Sequence, residues 1–189
     1  MQKSNVFILL SFFYLTIQTD ALSDDFRKSD WGDSRSAVIQ DAGKPFQSKE
    51  DVLMYEVSIS GIDGYLLYNF VAEKLSSAGY LFTESHSNDN TYISDYSKIQ
   101  ELMIKKYGKP ISDKSVWFND LYRDDVSQYG FAISIGHYGK QSTWATDRTK
   151  IFHTLHGDNY KISHGLNYSS KDLESLSEEV KDKAAMDQL

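Results

Sequence analysis

The chain of 189 residues contains no cysteine, only two prolines and fewer basic than acidic residues. Without cysteine there is no disulfide framework, no thiolate zinc site, no cysteine nucleophile and no lipid anchor on an N-terminal cysteine. The chain carries 20 Lys and Arg residues against 27 Asp and Glu residues, a net charge of −7, and no basic cluster interrupts this balance. A phosphate backbone would be repelled on average, so we expect no nucleic acid partner.

Only one long apolar run is present, and it lies near the N-terminus. Lys3 supplies one positive charge, and residues 6–17 are apolar or aromatic with two exceptions. The run is too short for a bilayer core of about 30 Å, which needs about 20 apolar residues, but it suits a secretory signal. Thr19 and Ala21 are small residues at the −3 and −1 positions of a cut after Ala21. The sequence therefore predicts a signal peptide over residues 1–21, with a buried helix or a retained anchor as the alternative.

The consequence of this prediction is an exported protein, either periplasmic or secreted, with no stable membrane insertion once the signal is removed. The rest of the composition is that of a globular domain, because the chain is 40% hydrophobic and 25% charged. A chain of this length can bury a core without metal or disulfide support.

Both prolines lie in identical tripeptides, Gly43-Lys44-Pro45 and Gly108-Lys109-Pro110. Each tripeptide follows an amphipathic helical pattern, the first beginning near Asp33 or Ser34 and the second near Ser94. Glycine suits the left-handed residue that ends a helix, and proline shortly after it cannot continue the helix. The repeated ending predicts an internal duplication with a period of about 65 residues.

Strand patterns follow each tripeptide at intervals too short for crossover helices, so we expect the strands to pair antiparallel. The predicted strands span residues 52–59, 65–71, 78–82, 115–118, 131–135, 141–145, 150–155 and 160–168. The sequence therefore predicts an α+β fold made of two related helix-plus-antiparallel-sheet units. The first unit covers residues 22–90, the second covers residues 91–170, and residues 171–189 form a polar helical tail.

The stretch Trp31-Gly32-Asp33-Ser34, followed by Val38, by Gly43-Lys44-Pro45 and by a strand, resembles the repeat unit of small exported bacterial proteins. These include the SmpA/OmlA (BamE-like) outer-membrane lipoprotein family and the β-lactamase inhibitory protein. The resemblance covers residues 26–82 and, more loosely, residues 93–168. It implies a helix-plus-sheet module, single or in tandem, whose exposed sheet face or loops bind another protein, and it carries over no catalytic residue. The absence of cysteine departs from the lipoprotein branch and puts membrane anchoring in doubt.

Five histidines raise the question of a metal or catalytic site. His153 and His156 are three positions apart on one predicted strand, so their side chains should point to opposite faces. His164 on the next strand can come opposite one of them, and Asp158 lies close in sequence, which would make a site of two imidazoles and a carboxylate. Motifs for nucleophile elbows, zinc proteases and phosphate loops are absent. We predict no catalytic residue, no metal and no cofactor; the alternative is a hydrolase or metal-assisted enzyme using the histidines.

The aromatic residues are numerous for a small core: thirteen Tyr, ten Phe and three Trp. A tyrosine can bury its ring while its hydroxyl stays in water, which favours recognition surfaces. The candidate binding residues are Tyr65, Tyr68, Tyr80, Trp117, Tyr122 and Trp144. The alternative is that these aromatic side chains simply form the core.

One predicted strand indicates where a partner would bind. Over residues 52–59, Leu53, Tyr55, Val57 and Ile59 alternate with a more polar set, so one face of the sheet is expected to be solvated. The sequence therefore predicts an exported, non-catalytic binding module that recognises a protein or an envelope component through a sheet face.

Overall fold

The computed structural model describes residues 25–49 and 51–186, so the predicted signal peptide over residues 1–21 lies outside the described residues. The described strands are β1 (Gln47–Lys49), β2 (Val52–Ile59), β3 (Ile62–Val71), β4 (Lys74–Phe82), β5 (Ser112–Trp117), β6 (Tyr138–Ala145), β7 (Thr149–Asp158) and β8 (Lys161–Ser170). The described α helices are α1 (Arg35–Ala42), α2 (Asn90–Tyr107), α3 (Tyr129–Ser134) and α4 (Glu174–Met186). The predicted α+β class, antiparallel sheet and C-terminal helix are confirmed.

All of these strands belong to one sheet, in the order β1-β2-β3-β4-β8-β7-β6-β5, and every neighbouring pair is antiparallel. The first four strands run from one edge to the centre, and the last four run from the other edge to the centre. The two series meet where β4 pairs with β8, with Ala78 opposite Tyr168. The strands of the two predicted units therefore share one continuous sheet. We call the β4–β8 pairing the seam.

The ends of α1 and α2 follow from the residues expected there. The Ser34 hydroxyl accepts a hydrogen bond from the amide of Ala37 at 3.3 Å and caps the start of α1. Gly43 ends α1 with φ 86° and ψ −167°, and Gly108 ends α2 with φ 78° and ψ −167°. Only glycine adopts this region of backbone space readily, so both helices stop where the sequence places glycine.

Each of these glycines is also held by a polar atom of an aromatic side chain. The Tyr55 hydroxyl on β2 donates to the Gly43 carbonyl at 3.0 Å, and the Trp144 indole nitrogen on β6 donates to the Gly108 carbonyl at 2.9 Å. In both cases the donor lies on the second strand after the helix. These bonds satisfy a carbonyl at the helix end and fix that end over the sheet.

The main hydrophobic core lies between the sheet and α1 and α2. It includes Val38 from α1, Ile99 from α2, Leu53 from β2 and Ile151 from β7, so it crosses the seam. The segment before α1 joins it, because the Trp31 indole nitrogen donates to the Thr149 hydroxyl at 2.8 Å. The strands alternate in burial along their length, as expected for a sheet covered on one face.

A smaller core cluster lies under α3 and the start of α2. It contains Tyr96, Ala132, Ile133, Tyr138 and Leu155, all buried. The predicted strand over residues 131–135 is wrong, because this segment forms α3. The periodicity of a short apolar run does not distinguish a strand from a buried helix. Here the tertiary contacts of the segment stabilise the helix.

The start of α2 is also different from the prediction near Ser94, because the helix begins at Asn90. The Asn90 side chain donates to the carbonyl of Ser127 at 2.7 Å and accepts from the amide of Gly130 at 2.7 Å. These long-range bonds tie the first turn of α2 to the entry of α3. The local sequence pattern cannot predict this start of α2, because the bonds that fix it join residues far apart in the chain.

Helix α4 is placed differently from α1, α2 and α3. It contacts β3 and lies over the side chains of Asn69 and Asn167, which point away from the other helices. No helix in the part of the chain that the structure describes has both the length and the apolar character needed to cross a membrane.

Candidate functional site

The sheet has one face packed against α1, α2 and α3 and a second face that, among the described helices, meets only α4 at one end. We call this second face the open face. Along each strand from β2 to β8, every second side chain points into the core, and the side chains between them lie on the open face. The registers of the paired strands show which residues these are. The predicted solvated face is thus observed on β2, where Met54, Glu56 and Ser58 point away from the core.

Apolar side chains lie on the open face, four of them on or beside the first half of the sheet and Phe152 across the seam on β7. Tyr65 on β3 lies directly opposite Leu81 on β4, and the Tyr65 ring stacks against the Phe46 ring with centroids 6.2 Å apart. Phe46 is 62% exposed and Leu81 is 42% exposed. Together with half-buried Leu67 and Phe152, these residues form what we call the open-face patch: Phe46, Tyr65, Leu67, Leu81 and Phe152.

Two glycines interrupt the side chains of the open face at the seam. Gly79 on β4 lies between Leu67 and Asn167 in the register, and Gly165 on β8 lies between Leu81 and Thr154. A Cβ atom at Gly79 would approach the carbonyl oxygen of Leu166 to 2.5 Å. The open face therefore carries no side chain at these two positions of the seam, and Gly79 itself is buried.

The six candidate binding residues do not share one surface. Tyr65 lies on the open face. Tyr68 and Trp144 are buried in the main core, and half-buried Tyr80 packs against it. Trp117 and Tyr122 pack against the smaller core cluster. Alternation along each strand explains this result, since Tyr65 and Tyr68 are an odd number of residues apart and must point to opposite faces.

The remaining members of the open-face patch were missed by sequence reasoning. Leu67, Leu81 and Phe152 are ordinary apolar strand residues, and only the strand register shows which face each one occupies. One sequence signal could have found Leu67. It lies between Leu66 and Tyr68, and because these two residues point into the core, Leu67 must point to the opposite face. Phe46 precedes a short edge strand, and its contact with Tyr65 is tertiary.

The five histidines do not form one site. His153 and His164 meet beneath α2, with their Nε2 atoms 2.9 Å apart. His156 lies on the open face and is exposed, as the odd spacing from His153 predicted. No group of three side chains among the described histidines, aspartates and glutamates is arranged to hold a metal ion.

The His153–His164 pair is enclosed by aromatic rings. The Tyr96 ring stacks on the His153 ring at 3.9 Å between centroids and an angle of 3°, and the Phe82 ring lies 4.3 Å from the His164 ring. His153 is fully buried, and its Nδ1 atom has no hydrogen-bond partner. This environment favours the neutral form of both rings.

The pKa values of the two rings follow from this burial. Desolvation is the main cause that lowers the pKa of His153 to about 2, and the neighbouring His164 and Lys140 act in the same direction. Desolvation also lowers the pKa of His164 to about 4, although the charge of Asp95 acts in the opposite direction. Both rings are therefore neutral at pH 7, where they cannot act as a general acid.

A groove of about 940 Å³ with both polar and apolar walls lies between α4 and one end of the open face. Asn69, Asn167 and Ser169 contribute from the sheet, and Glu174 and Glu178 contribute from α4. The Lys150 ammonium holds Glu174 at 2.6 Å, which attaches α4 to β7 at this end. The groove continues the open face at one end of the seam, with hydroxyl, amide and carboxylate groups beside the apolar side chains of Val71 and Val180.

The comparisons with known proteins give no matching family model, no matching curated protein and no matching solved structure. The function is therefore inferred from the chemistry of the open face and of the histidine pair.

Proposed function

We propose that this protein is an exported, non-catalytic binding module that recognises a protein or an envelope component through the open face of its sheet. The observation that carries the proposal is the unequal covering of the two faces. Three helices pack on one face, whereas the open-face patch stays accessible with Phe46 and Leu81 well exposed. Contiguous exposed apolar residues with polar neighbours are typical of interaction sites.

The composition of the open face also favours a macromolecular partner. The open-face patch offers apolar contacts, and the neighbouring side chains of Asn167 and Thr154 offer hydrogen bonds. Glu56 and Lys150 lie towards the margins of the open face, so the face carries charges of both signs.

Export rests on residues 1–21 of the sequence, where an apolar run is followed by small residues at the predicted cleavage position. A periplasmic or secreted location suits a binding module without cysteine.

We also infer that the two halves are related units, similar to the repeat of the BamE-like and β-lactamase inhibitory proteins. Three observations support this inference: the mirrored strand order about the seam, the matching backbone angles of Gly43 and Gly108, and the matching donors Tyr55 and Trp144. Each donor lies on the second strand after its helix, which is the correspondence that a duplication would leave.

A hydrolase or metal-assisted enzyme using His153, His156 and His164 is the alternative function. Two of these rings are buried and bonded to each other, and the third lies on the opposite face of the sheet. No observation favours this alternative, so we propose binding.

The test compares two leucines on opposite faces. Leu81 on the open face is 42% exposed, and Leu102 on α2 is 38% exposed. The Leu81→Glu variant should reduce capture of the partner from an envelope extract of the producing cells by at least about tenfold, which is about 1.4 kcal/mol of binding free energy. The Leu102→Glu variant should capture it as the unaltered protein does.

Thermal unfolding of both variants checks that the fold is retained. Equal capture by the Leu81→Glu and Leu102→Glu variants would show that the open face is not the binding surface. Failure of the unaltered protein to retain any component from envelope and secreted fractions would count against binding altogether.

A further inference from the structure

The His153–His164 pair is a feature that the proposed binding function does not use. The two rings lie on β7 and β8 as diagonal neighbours two residues out of register, since His153 is opposite Leu166 and His164 is opposite Leu155. The hairpin turn at Asn159 and Tyr160, both with positive φ, fixes this register. The pair is therefore built into the sheet and faces α2.

The hydrogen bond between the rings requires that exactly one Nε2 atom carries a proton, because one must donate and the other accept. A second proton on the accepting Nε2 atom would place two N–H groups 2.9 Å apart, pointing at each other. The Nδ1 atom of His153 is buried without a partner, so a proton added there would also lack an acceptor. An added proton on either nitrogen of His153 would therefore have no hydrogen-bond acceptor while α2 is packed on the sheet, which we call the closed state.

Among the groups that face the pair, only the charge of Asp95 favours an added proton, and it acts on His164 without overcoming the effect of burial. From α2, Tyr96 stacks on His153, and Asp95 is already engaged by His86 at 2.7 Å. From β6, the Lys140 ammonium lies 5.4 Å from the Tyr96 ring centroid and opposes protonation of His153, while Tyr138 packs beside Tyr96. The packed residues of β4 and α3, namely Phe82, Ala132 and Ile133, carry no titratable group.

We propose that the His153–His164 pair is an acid-sensitive lock that holds α2 against the sheet. With both rings neutral, the pair fits beneath Tyr96. Protonation requires water at the rings, and Tyr96 of α2 covers the His153 ring. Acid therefore favours states in which α2 is lifted and the rings are hydrated.

The direction of the effect follows from the difference between the closed and open states. The pKa of each ring is lowered in the closed state and rises towards an ordinary histidine value of about 6.5 when the ring is exposed. Below that value the open state binds more protons, so acid favours opening; above about pH 7 the effect disappears. Between pH 7 and pH 5 the opening equilibrium should rise by about 25-fold for each ring, and by about 600-fold for the pair.

The experiment measures hydrogen exchange of the α2 amides at pH 7 and pH 5, after correction for the intrinsic exchange rate. In the unaltered protein, the protection of α2 should fall by about two orders of magnitude or more between pH 7 and pH 5. In the double variant His153→Gln and His164→Gln, an amide pair keeps the single hydrogen bond without a titratable group, and the protection should be far less dependent on pH. The His156→Gln variant changes a histidine on the same strand but on the open face, and it should behave as the unaltered protein.

An equal loss of α2 protection in the unaltered protein and in the double variant would overturn the proposal. If the double variant does not fold, the ring resonances of the unaltered protein provide the test by NMR titration from pH 7.5 to pH 5. The His153 and His164 ring signals should remain those of neutral imidazole while the fold persists. A midpoint above pH 6 for either buried ring in the folded protein would overturn the proposal.

Discussion

The two halves of the sheet follow one plan but bury different chemistry. In the first half, from α1 to β4, short turns at residues 60–61 and 72–73 join consecutive strands, and the buried side chains are mainly apolar or aromatic. In the second half, from α2 to β8, residues 118–137 intervene between β5 and β6 and include α3. This half buries the two histidines and Ser142, whose hydroxyl joins a partly buried group of hydrogen-bonded polar side chains.

The polar group of the second half links α2 to β5 and β6. The hydroxyls of Tyr96 and Ser142 are 2.7 Å apart, and the Ser142 hydroxyl donates to Asp113 at 2.8 Å. Gln100 donates to both Ser142 and Asp113. Buried polar groups stabilise a fold only when their partners are in place, so this half depends on specific hydrogen bonds and protonation states. The first half depends more on packing.

The difference does not make the halves independent. Ile151 and Leu166 of the second half pack in the same cluster as Leu53 of the first half, and Trp31 is bonded to Thr149 across the sheet. We therefore expect one cooperative unfolding transition, in which a defect in either half destabilises the whole molecule.

The largest expected effect comes from opening a cavity in either half. Leu53 and Leu155 are fully buried, one in each core cluster. The Leu53→Ala and Leu155→Ala variants should each lose about 2–5 kcal/mol of unfolding free energy, because methyl groups leave the core and a cavity remains. Urea denaturation followed by both circular dichroism and tryptophan fluorescence measures this loss.

The same measurement tests whether the halves unfold together. Both variants should show a single transition that coincides for the two probes. Two separate transitions, each sensitive to only one of the leucines, would contradict a shared core. The Leu102→Ala variant on the exposed side of α2 is the control, and it should cost much less.

A smaller effect, similar in the two halves, is expected at the glycines that end α1 and α2. Gly43 and Gly108 have nearly the same backbone angles, in a region that side chains disfavour, although no atom lies within 4 Å of a built Cβ at either position. The Gly43→Ala and Gly108→Ala variants should each lose about 1–3 kcal/mol through backbone strain alone. Thermal unfolding gives the comparison.

Gly165→Ala is the matched control, since Gly165 has no positive φ and its Cβ would meet the nearest atom at 3.4 Å. That variant should change stability by less than about 1 kcal/mol. A large loss for Gly43→Ala and none for Gly108→Ala would break the correspondence between the two helix ends.

Much of the first half could be predicted from the sequence because local patterns decide it. The predicted strand over residues 52–59 matches β2, and the capping by Ser34 and the stop at Gly43 are confirmed. Alternation also correctly separated the two faces of β2. The edge strand β1 was missed, because the three polar residues Gln47–Lys49 carry no pattern and pair only through the backbone.

Less of the second half and of the candidate site could be predicted, because tertiary contacts decide them. The helix α3 and the start of α2 depend on bonds between Asn90 and the residues before α3. The opposite orientations of His153 and His156 were predicted, but the contact between His153 and Tyr96 requires the packing of α2. The open-face patch depends on the seam, and no local signal shows that β4 pairs with β8.

The smallest expected effect concerns α4, which belongs to neither core cluster. Its attachment includes the pair of Lys150 and Glu174, whose side chains are 38% and 48% exposed. An exposed pair of this kind contributes about 0.2–1 kcal/mol, and salt weakens it. The Glu174→Gln variant should therefore lose at most about 1 kcal/mol in low salt, and the loss should shrink in about 1 M salt, where the Debye length is about 3 Å.

The matched control is Glu178→Gln, one turn further along the same helix, on the same groove but with no ion pair formed by its carboxylate among the described contacts. That variant should leave stability nearly unchanged at either salt concentration. Urea denaturation of both variants at low and high salt measures the difference. A loss above about 2 kcal/mol for Glu174→Gln would mean that α4 is integral to the fold. The molecule would then be a sheet packed on both faces at one end, and the open face would be confined to the seam and the open-face patch.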